Sequence, residues 1–479
     1  MKVAADQSAR KDFEGSDLIV AKEQTVSYGN PTLRFTHRTA RVTVILTDYT
    51  EGMASVKLTG LSTENGNPAQ IIPYDKGNDT YTALVAPQSV ATGTAFITCA
   101  FTNGKVFVYK MQSDTHWQAG EEYTYTVSLA AAKDPGYTVS EDGKTYEVYN
   151  AEGLKNIAEL VNEEWKLDIN ITLTNNIDLT GIDWTPIGKD DNKAYTGTFD
   201  GGNHTITGLT VTTSDQYAGL FGYLSGTVKD VTLKDVKIES NNEISDVGGV
   251  AGQSYGNIEN CSVSGSVSVS GTNSIAGGVV GYQTGGSITG CSSSATVNAG
   301  GVAGGVVGLA DGGATLTACY ATGNVTIESS GTGSYFAGGV VGINTVSTLK
   351  ACYAWGSVTG SGSGTLYVGG VTGSNDLGTL TACYHAKGTV SGPDRATGGV
   401  AGRNFKDSMF GGGIITACYW GGNGQEQGIG EDQAGTGGTT QVTDDDWQTA
   451  VDAMNAALSG KGWQYELKDG SSRPTLKKE

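Results

Sequence analysis

Seven cysteines are the first residues in this 479-residue sequence that could do chemistry. In an exported chain they would suggest disulfides, and thiolates could also bind a metal ion. No two are spaced as CxxC, and the four histidines do not cluster with them. We therefore predict buried free thiols and no metal site, with a bridged pair as the alternative. Six of the cysteines occur once per repeat of a glycine-rich pattern: Cys261, Cys291, Cys319, Cys352, Cys383 and Cys418.

A tyrosine directly follows four of these cysteines, at the same place in successive repeats. Neighbouring residues of a strand point to opposite faces, so an inward cysteine turns the next side chain outward. We predict an outward tyrosine stripe that could stack on sugar rings or contact a protein. The alternative is that the rings pack over turns or stack on one another and stiffen the fold. The candidate binding residues are Tyr320, Tyr353, Tyr384 and Tyr419, with Trp355 and Trp420 beside them.

Charged side chains, which a glycosidase or a polysaccharide lyase would need in a cluster, are sparse in the repeats. Positions 245–430 hold eight acidic and five basic residues, and none returns at a fixed place in the repeat. The run Asp200–His204 resembles a calcium-binding turn, but it occurs once, which favours a glycine-rich β-turn. No phosphate-binding loop or HExxH motif is present. We therefore predict no enzyme activity and no cofactor.

A repeat of about thirty residues positions the cysteines and tyrosines. Of the 73 glycines, 53 lie between positions 197 and 430, which excludes an array of helices. Short β segments that turn at glycine and stack coil on coil predict a parallel β-helix or β-solenoid. In each anchor we expect the valine to point inward and the glycines to adopt backbone angles that a Cβ forbids. The anchor Gly-Gly-Val-x-Gly begins at Gly248, Gly277, Gly304, Gly338, Gly369 and Gly398, after a variant at Ala218.

The fold class predicted for the whole chain is all-β, with an N-terminal β-sandwich, a β-solenoid and short capping helices. Residues 1–132 contain short alternating runs bounded by turn residues, which predict the sandwich. The solenoid is assigned to residues 205–430, preceded by a capping segment over 137–204 and followed by a C-terminal cap over 431–479. Helical spacing predicts helices at Ala151–Glu164 and Asp444–Leu458, and we expect the second to cover the open end of the solenoid.

The net charge of −19 disfavours nucleic acid as a partner. No apolar run is long enough for a transmembrane helix, and the chain opens without an apolar leader segment. We interpret the sequence as the mature form of an exported protein, which is extracellular, at the cell surface or attached to the outer membrane.

Two parts of the chain resemble modules of Bacteroidetes surface proteins. Asp200–Leu209, Ala218–Gly222 and the later anchors resemble the GLUG motif, which is found in secreted surface proteins that include some bacterial immunoglobulin A peptidases. Phe35–Val42, Ala86–Gln88 and Gly120–Tyr123 are similar, in that order, to the fimbrillin-like family. The resemblance implies an exported adhesion protein, whose partners would be a host or bacterial surface glycan or protein, or other fimbrial subunits.

These observations predict a non-enzymatic adhesin that presents a rigid β-solenoid. Two alternatives stay open: a carbohydrate-active β-helix enzyme (a polysaccharide lyase or glycosidase), and a phage tail-spike-like receptor-binding protein. Carboxylates that converge in a groove would favour the enzyme, and an intertwined trimer would favour the tail spike.

Overall fold

A computed structural model describes residues 2–29, 31–49, 52–101, 106–129, 135–140, 142–213, 215–393, 396–435, 437–443, 446–460, 462–468 and 473–479. The chain divides into two compact units, Met1–Pro135 and Gly136–Glu479. In this described part of the chain, no helix is both long and apolar enough to cross a membrane. The α-helices are α1 (Arg10–Gly15), α2 (Ala151–Asn162) and α3 (Trp447–Leu458), and 3-10 turns lie at Thr63–Asn65 and Asp191–Lys193.

The first unit packs two main sheets on one hydrophobic core. Val42 and Val44 of one sheet share that core with Ile97 and Cys99 of the other, so the predicted all-β architecture is confirmed. One sheet has the order Glu122–Ser128, Ala40–Thr47, Thr80–Val85 and Tyr74–Asp75, with its first pair parallel, and the other contains Met53–Leu58, Ala95–Phe101 and Val106–Lys110. Short pairs join Ile19–Val20 with Thr36–His37, and Gln88–Val90 with Thr115–Trp117.

The second unit is a β-solenoid of about nine turns, as predicted. Each full coil contributes strands to four sheets, which we number along the coil from the glycine anchor, and several coils contribute two short strands to sheet 4. Sheet 1 contains Tyr217–Ala218, Asp246–Gly248, Ile275–Gly277, Val302–Gly304, Ser334–Gly338, Thr365–Gly369 and Thr397–Gly398. Sheet 2 contains Phe221–Leu224, Ala251–Ser254, Val280–Thr284, Val307–Asp311, Val341–Thr345, Thr372–Asp376, Ala401–Asp407, Gly411–Gly412 and Ile429–Asp432.

Sheets 3 and 4 complete each coil, and equivalent strands of successive coils pair in parallel. Sheet 3 contains Tyr137–Val139, Thr145–Val148, Asn170–Leu173, Thr198–Asp200, Thr227–Lys229, Asn257–Glu259, Ser287–Thr289, Thr315–Thr317, Thr348–Lys350, Thr379–Thr381 and Ile414–Thr416. Sheet 4 contains Ile177–Asp178, Thr205–Thr207, Thr210–Thr213, Thr232–Ser240, Ser262–Val269, Ser292–Ser293, Thr296–Ala299, Tyr320–Ala321, Val325–Ser329, Tyr353–Ala354, Val358–Gly362, Tyr384–Ala386, Val390–Ser391, Cys418–Gly421 and Thr439–Gln441. A separate pair joins Trp463–Glu466 and Thr475–Lys478.

Glycine anchors form the bend between sheets 1 and 2. The anchor valine points inward as expected, and Val340 is fully buried. The expectation of unusual backbone angles is wrong, because φ of Gly338 and Gly339 lies outside the left-handed region. Glycine is needed for space instead, since a Cβ built on Gly339 would lie 2.1 Å from the carbonyl oxygen of Gly370 in the next coil.

The six repeat cysteines stack inside the solenoid. All six are free thiols and at most 1% exposed. The Cys319 Sγ lies 3.4 Å from the carbonyl oxygens of Ile288 and Thr317, which can accept its weak hydrogen bond. Burial raises the pKa of the Cys291 and Cys319 thiols well above the ordinary value. The structure thus agrees with the prediction of buried thiols that fill space as small hydrophobic residues.

We expect these thiols to resist modification while the chain is folded. A water-soluble aromatic disulfide reagent must reach a thiolate in order to react, and the burial of all six side chains prevents that contact. At Cys291, Cys319 and Cys383 the raised pKa also suppresses formation of the thiolate. The native protein should therefore release little chromophore over hours, and the protein in denaturant should rapidly react at seven thiols. Prompt native labelling of five or more thiols would contradict the inward ladder.

Helix α2 covers one end of the solenoid core. The Asn150 side chain caps it by accepting a hydrogen bond from a backbone N–H. Its apolar face buries Leu154, Ile157 and Val161 in the same core as the coils. The helix predicted at 151–164 is therefore present, and it ends at Asn162.

Helix α3 begins at Trp447, and positions 444–445 of the predicted helix lie outside the described residues. It packs along the flank of the solenoid, beside Tyr353 and Tyr384, rather than over the open end where we expected it. The reason is chemical: the stacked tyrosines give that flank an apolar surface, and the apolar side of α3 is buried against it.

Candidate functional site: the tyrosine ladder and the adjoining cleft

The predicted tyrosines lie in register on the outer face of sheet 4. Tyr320 pairs with Tyr353, Tyr353 with Tyr384, and Tyr384 with Tyr419. The Tyr320 and Tyr353 ring centroids lie 4.9 Å apart, and the angle between the ring planes is 3°. Those of Tyr353 and Tyr384 lie 5.0 Å apart, with an angle of 11° between the planes. The rings thus point outward, as strand alternation predicts. They also stack on one another, as in the alternative in which the rings stiffen the fold.

The C-terminal segment covers the middle of this ladder. Tyr353 is 4% exposed and Tyr384 is 0% exposed. Trp447 of α3 lies 5.0 Å from the Tyr384 ring, and Tyr465 lies 5.6 Å from it, centroid to centroid. The prediction of an open stripe is therefore wrong for these two tyrosines, because α3 and the strand after it bury the surface that the rings create.

Hydrogen bonds fasten the cover to the ladder. The Tyr384 hydroxyl donates to the carbonyl oxygen of Pro474 and accepts from the Trp355 indole N–H at 3.0 Å. The Tyr465 hydroxyl donates to the carbonyl oxygen of Ala382 at 2.9 Å. Burial raises the pKa of Tyr384 and Tyr465 well above the ordinary value, so both phenols stay neutral donors.

Two further predicted residues, Trp420 and Tyr419, are buried and half-buried respectively. Trp420 pairs in register with His385, on the inward side of sheet 4, and is 6% exposed. Placing Trp420 on the binding surface was wrong, because alternation turns it inward once Tyr419 points outward. Tyr419 is half-buried and packs against the cluster that contains α3.

Three of the predicted residues line an open cleft, which has a volume of about 450 Å³. Tyr320 and Trp355 are half-buried there, and Tyr353 is buried. We call it the Tyr320 cleft. Its lining residues are Thr232, Leu233, Ser262, Val263, Ser264, Ser292, Ser293, Ser294, Tyr320, Thr322, Tyr353, Trp355 and Thr475.

A second cleft, of about 400 Å³, lies beside α2 and holds the carboxylates that sequence analysis did not single out. Its charged lining residues are Lys155, Glu159, Glu163, Glu164, Asp183 and Lys189. Lys189 Nζ lies 2.8 Å from Glu163 Oε1, and this hydrogen bond lowers the pKa of Glu163. A general acid at a sugar-cleaving site needs a raised pKa, so this exposed pair fits an ordinary surface ion pair better.

An arginine on sheet 2 also escaped the sequence analysis. Arg403 Nη2 lies 3.0 Å from both carboxylate oxygens of Asp376, and its guanidinium carbon lies 4.7 Å from the Tyr367 ring centroid. The two residues sit one coil apart, at small offsets from successive anchors, so the repeat register could have indicated the pair. Arg403 therefore forms an ion pair with the carboxylate of Asp376.

The remaining chemical motifs are structural. Asp200 Oδ2 lies 2.7 Å from Lys229 Nζ, and Asp200 Oδ1 accepts from the backbone N–H of Gly202, which is the geometry of a turn. Gly252–Gly256 has the form G-x-S-x-G, but Ser254 is fully buried within a strand. Among the residues that the structure describes, no three His, Cys, Asp or Glu side chains are grouped to hold a metal ion.

Asp246 is a buried carboxyl in sheet 1, in register with Tyr217 and Ile275. It is 7% exposed, and burial raises its pKa to about 7. The folded state therefore holds a proton on this side chain that the unfolded chain, with a pKa near 3.9, releases in weak acid.

We expect Asp246 to make the folded state less stable as pH rises from about 4 to about 7. The native state binds more protons in this range, so the free energy of unfolding falls with pH. Asp246→Asn should remove this component and stabilise the protein at pH 8 by up to roughly 4 kcal/mol. Urea denaturation of the wild type and of Asp246→Asn at pH 5 and pH 8 measures how the free energy of unfolding of each protein changes with pH. Equal pH dependence in the two proteins would show that Asp246 is ionised in the folded state.

Comparison with known families agrees with the two resemblances. Residues 1–142 match the family model described as fimbrillin-like. This part of the chain is a fimbrillin-like domain. The GLUG motif matches at residues 245–268 and 272–298, within the solenoid that follows the fimbrillin-like domain.

Individual relatives cover parts of the chain. Halomucin of Haloquadratum walsbyi is 32% identical over 217 residues, which is 40% of this chain and 2% of Halomucin. A solved structure named "putative immunoglobulin A1 protease from Bacteroides ovatus" is 19% identical with a TM-score of 0.47, over 71% of this chain and 94% of that one. A fimbrial protein from Bacteroides ovatus is 19% identical with a TM-score of 0.18, over 30% of this chain and 33% of that one.

Proposed function

We propose that this chain is a non-enzymatic adhesin, exported to the outside of a bacterial cell, and that it binds a surface glycan or protein. The fimbrillin-like domain over residues 1–142 carries the proposal, because a likeness to fimbrillins fits a role in adhesion. The solenoid supports it physically: stacked coils form a long, stiff surface whose outer positions repeat from coil to coil, which suits binding or spacing. Other fimbrial subunits are the partners that the fimbrillin-like domain implies.

Attachment of the full chain to cells tests the proposal. Fluorescent beads coated with the protein should attach to epithelial monolayers or to mucin-coated glass, and soluble protein should compete. Beads coated with the heat-unfolded chain control for the negative charge of −19, since both carry it. Attachment no greater than that control on either surface would contradict an adhesin.

A cleavage assay tests the non-enzymatic part of the proposal. The full chain is incubated with the heavy chain of immunoglobulin A1 and, separately, with acidic and neutral polysaccharides. We expect no new fragments on gels and no new reducing or unsaturated ends. Reproducible cleavage that depends on folded protein would make the chain an enzyme.

A further inference from the structure

The stack of tyrosine rings ends at Tyr320. One face of this ring lies against Tyr353, and the next position in register on the other side is Ser292. A serine cannot continue the stack, so the second face of the Tyr320 ring is turned toward open space above Ser292. The half-buried state of Tyr320 agrees with one covered and one uncovered face. The ladder therefore presents a ready stacking surface at this end.

Two rows of hydroxyl groups extend from that ring across the neighbouring coils. Parallel pairing places equivalent side chains of successive coils about 4.8 Å apart. The Ser262 hydroxyl donates to that of Thr232 at 3.1 Å, which shows how closely the hydroxyl groups within one row follow one another. The first row is Thr232, Ser262 and Ser292, and the second is Ser264, Ser294 and Thr322.

The side of the cleft is built by the end of the C-terminal cover. Thr475 belongs to the strand that packs beside the ladder, and Trp355 stands 5.2 Å from the Tyr353 ring. The Thr475 hydroxyl is itself buried and has no hydrogen-bond partner among the described residues, so the open face of the cleft is formed by the other hydroxyl groups. The C-terminal segment thus covers the ladder only as far as Tyr353. Beyond it lies the open cleft, in which the Tyr320 ring forms one wall and the two hydroxyl rows form the base.

The chemistry of this lining selects a class of ligand. The residues that line the Tyr320 cleft are aromatic, hydroxyl-bearing or aliphatic, and none of them is charged. A sugar ring has an apolar C–H face that packs on an aromatic ring, and hydroxyl groups that both donate and accept hydrogen bonds. An anionic ligand would find no cation here to offset its desolvation.

We propose that the Tyr320 cleft binds a neutral oligosaccharide, with one sugar ring stacked on the free face of Tyr320 and adjoining sugars hydrogen-bonded to the two hydroxyl rows. The inference names the ligand class of the proposed adhesin and rests on that proposal only for its biological setting. The sugar ring takes the place that a tyrosine would fill if the ladder ran one coil further.

The test uses the full chain and five neutral hexasaccharides, of glucose in α1-4 and in β1-4 linkage, N-acetylglucosamine, mannose and xylose. Binding is measured by saturation-transfer NMR and isothermal titration calorimetry. Ser292→Tyr extends the ladder by one ring and fills the stacking position, so it should abolish binding. Tyr320→Ala should weaken binding about tenfold, because it removes one ring contact but uncovers Tyr353 one coil deeper. Circular dichroism checks that each variant is folded.

Tyr419→Ala is the matched control, since it removes a ring from the opposite end of the ladder. We expect at least one hexasaccharide to bind the wild type and Tyr419→Ala with equal affinity. The same hexasaccharide should show no binding to Ser292→Tyr. No binding by any of the five, or equal binding by folded Ser292→Tyr, would overturn the inference. If none of the hexasaccharides binds but wild-type beads attach to cells, the cleft inference fails and the adhesin proposal stands. If sugars bind to the cleft but wild-type beads do not attach to cells, the adhesin proposal fails and the cleft inference stands.

Discussion

Cys319→Asp is expected to destabilise the second unit by roughly 3–5 kcal/mol at neutral pH, enough to prevent folding in a marginally stable protein. The side chain at 319 is fully buried between Cys291 and Cys352 in the inward ladder. Its surroundings are aliphatic side chains and backbone carbonyl oxygens, and a carboxylate there would face acceptors without any cation. Urea denaturation followed by circular dichroism measures the loss.

The matched control for this change is Thr317→Asp, two residues earlier on the same coil. Thr317 is half-buried in the last position of its sheet 3 strand, so its side chain keeps access to water. We expect a cost below about 1 kcal/mol there, as for most partly exposed sites. Equal stabilities of the two variants would mean that position 319 does not face the core.

Acid provides a second check on Cys319→Asp. Burial would raise the pKa of the new carboxyl above its ordinary value near 3.9, so the folded state prefers the protonated form. Stability relative to wild type should then be regained as pH falls toward 4 and lost again as pH rises. A difference that stays constant between pH 4 and pH 8 would contradict a buried carboxylate as the cause.

The solenoid could be predicted from sequence because its signal is local and repeated. Five of the six anchors begin 13 to 15 residues before their cysteine, and the sixth begins 20 residues before Cys418. A strand turns alternate side chains to opposite faces, so inward Cys319 dictates outward Tyr320. The same reasoning could have found the buried asparagines Asn344, Asn375 and Asn404, each six residues after the start of an anchor. Each side-chain amide donates to the next amide oxygen, with N···O distances of 2.8 and 3.0 Å. The alignment of the repeats contains these asparagines at one fixed position, but a search for hydrophobic patterns does not select them.

The cover over the tyrosines could not be predicted in the same way. Alternation says on which side of a strand Tyr384 lies, but not which distant segment lies over it. The apolar face of α3 signals only that the helix must pack on something, and its partner is about sixty residues earlier in the chain. The Tyr320 cleft exists because this cover stops before the ladder does, and that boundary is a property of two distant elements together.

Gly339→Val is expected to cost at least the 1–3 kcal/mol that is typical of overpacking a core, and to lower the melting temperature clearly. A Cβ at position 339 would lie 2.1 Å from the carbonyl oxygen of Gly370 and 2.7 Å from the Cβ of Ala354. The first of these atoms is backbone of the adjacent coil and cannot rotate away, so the coils must separate locally. Because equivalent strands pair on both sides, this separation strains the hydrogen bonds of sheets 1 and 2 together.

Gly313→Asn is the control for Gly339→Val. It tests whether side chains are rejected only where adjacent coils approach closely, or at glycine positions of the solenoid in general. Gly313 has a φ of +82°, in the left-handed region that asparagine enters more readily than most side chains, and a Cβ there meets nothing within 4 Å. We expect its melting temperature to fall much less than that of Gly339→Val. Binding per folded molecule should be unchanged in both variants, because neither glycine lines the Tyr320 cleft. If Gly339→Val melted like the wild type but lost attachment or sugar binding, the anchors would form a binding site, and spacing between coils would not be their role.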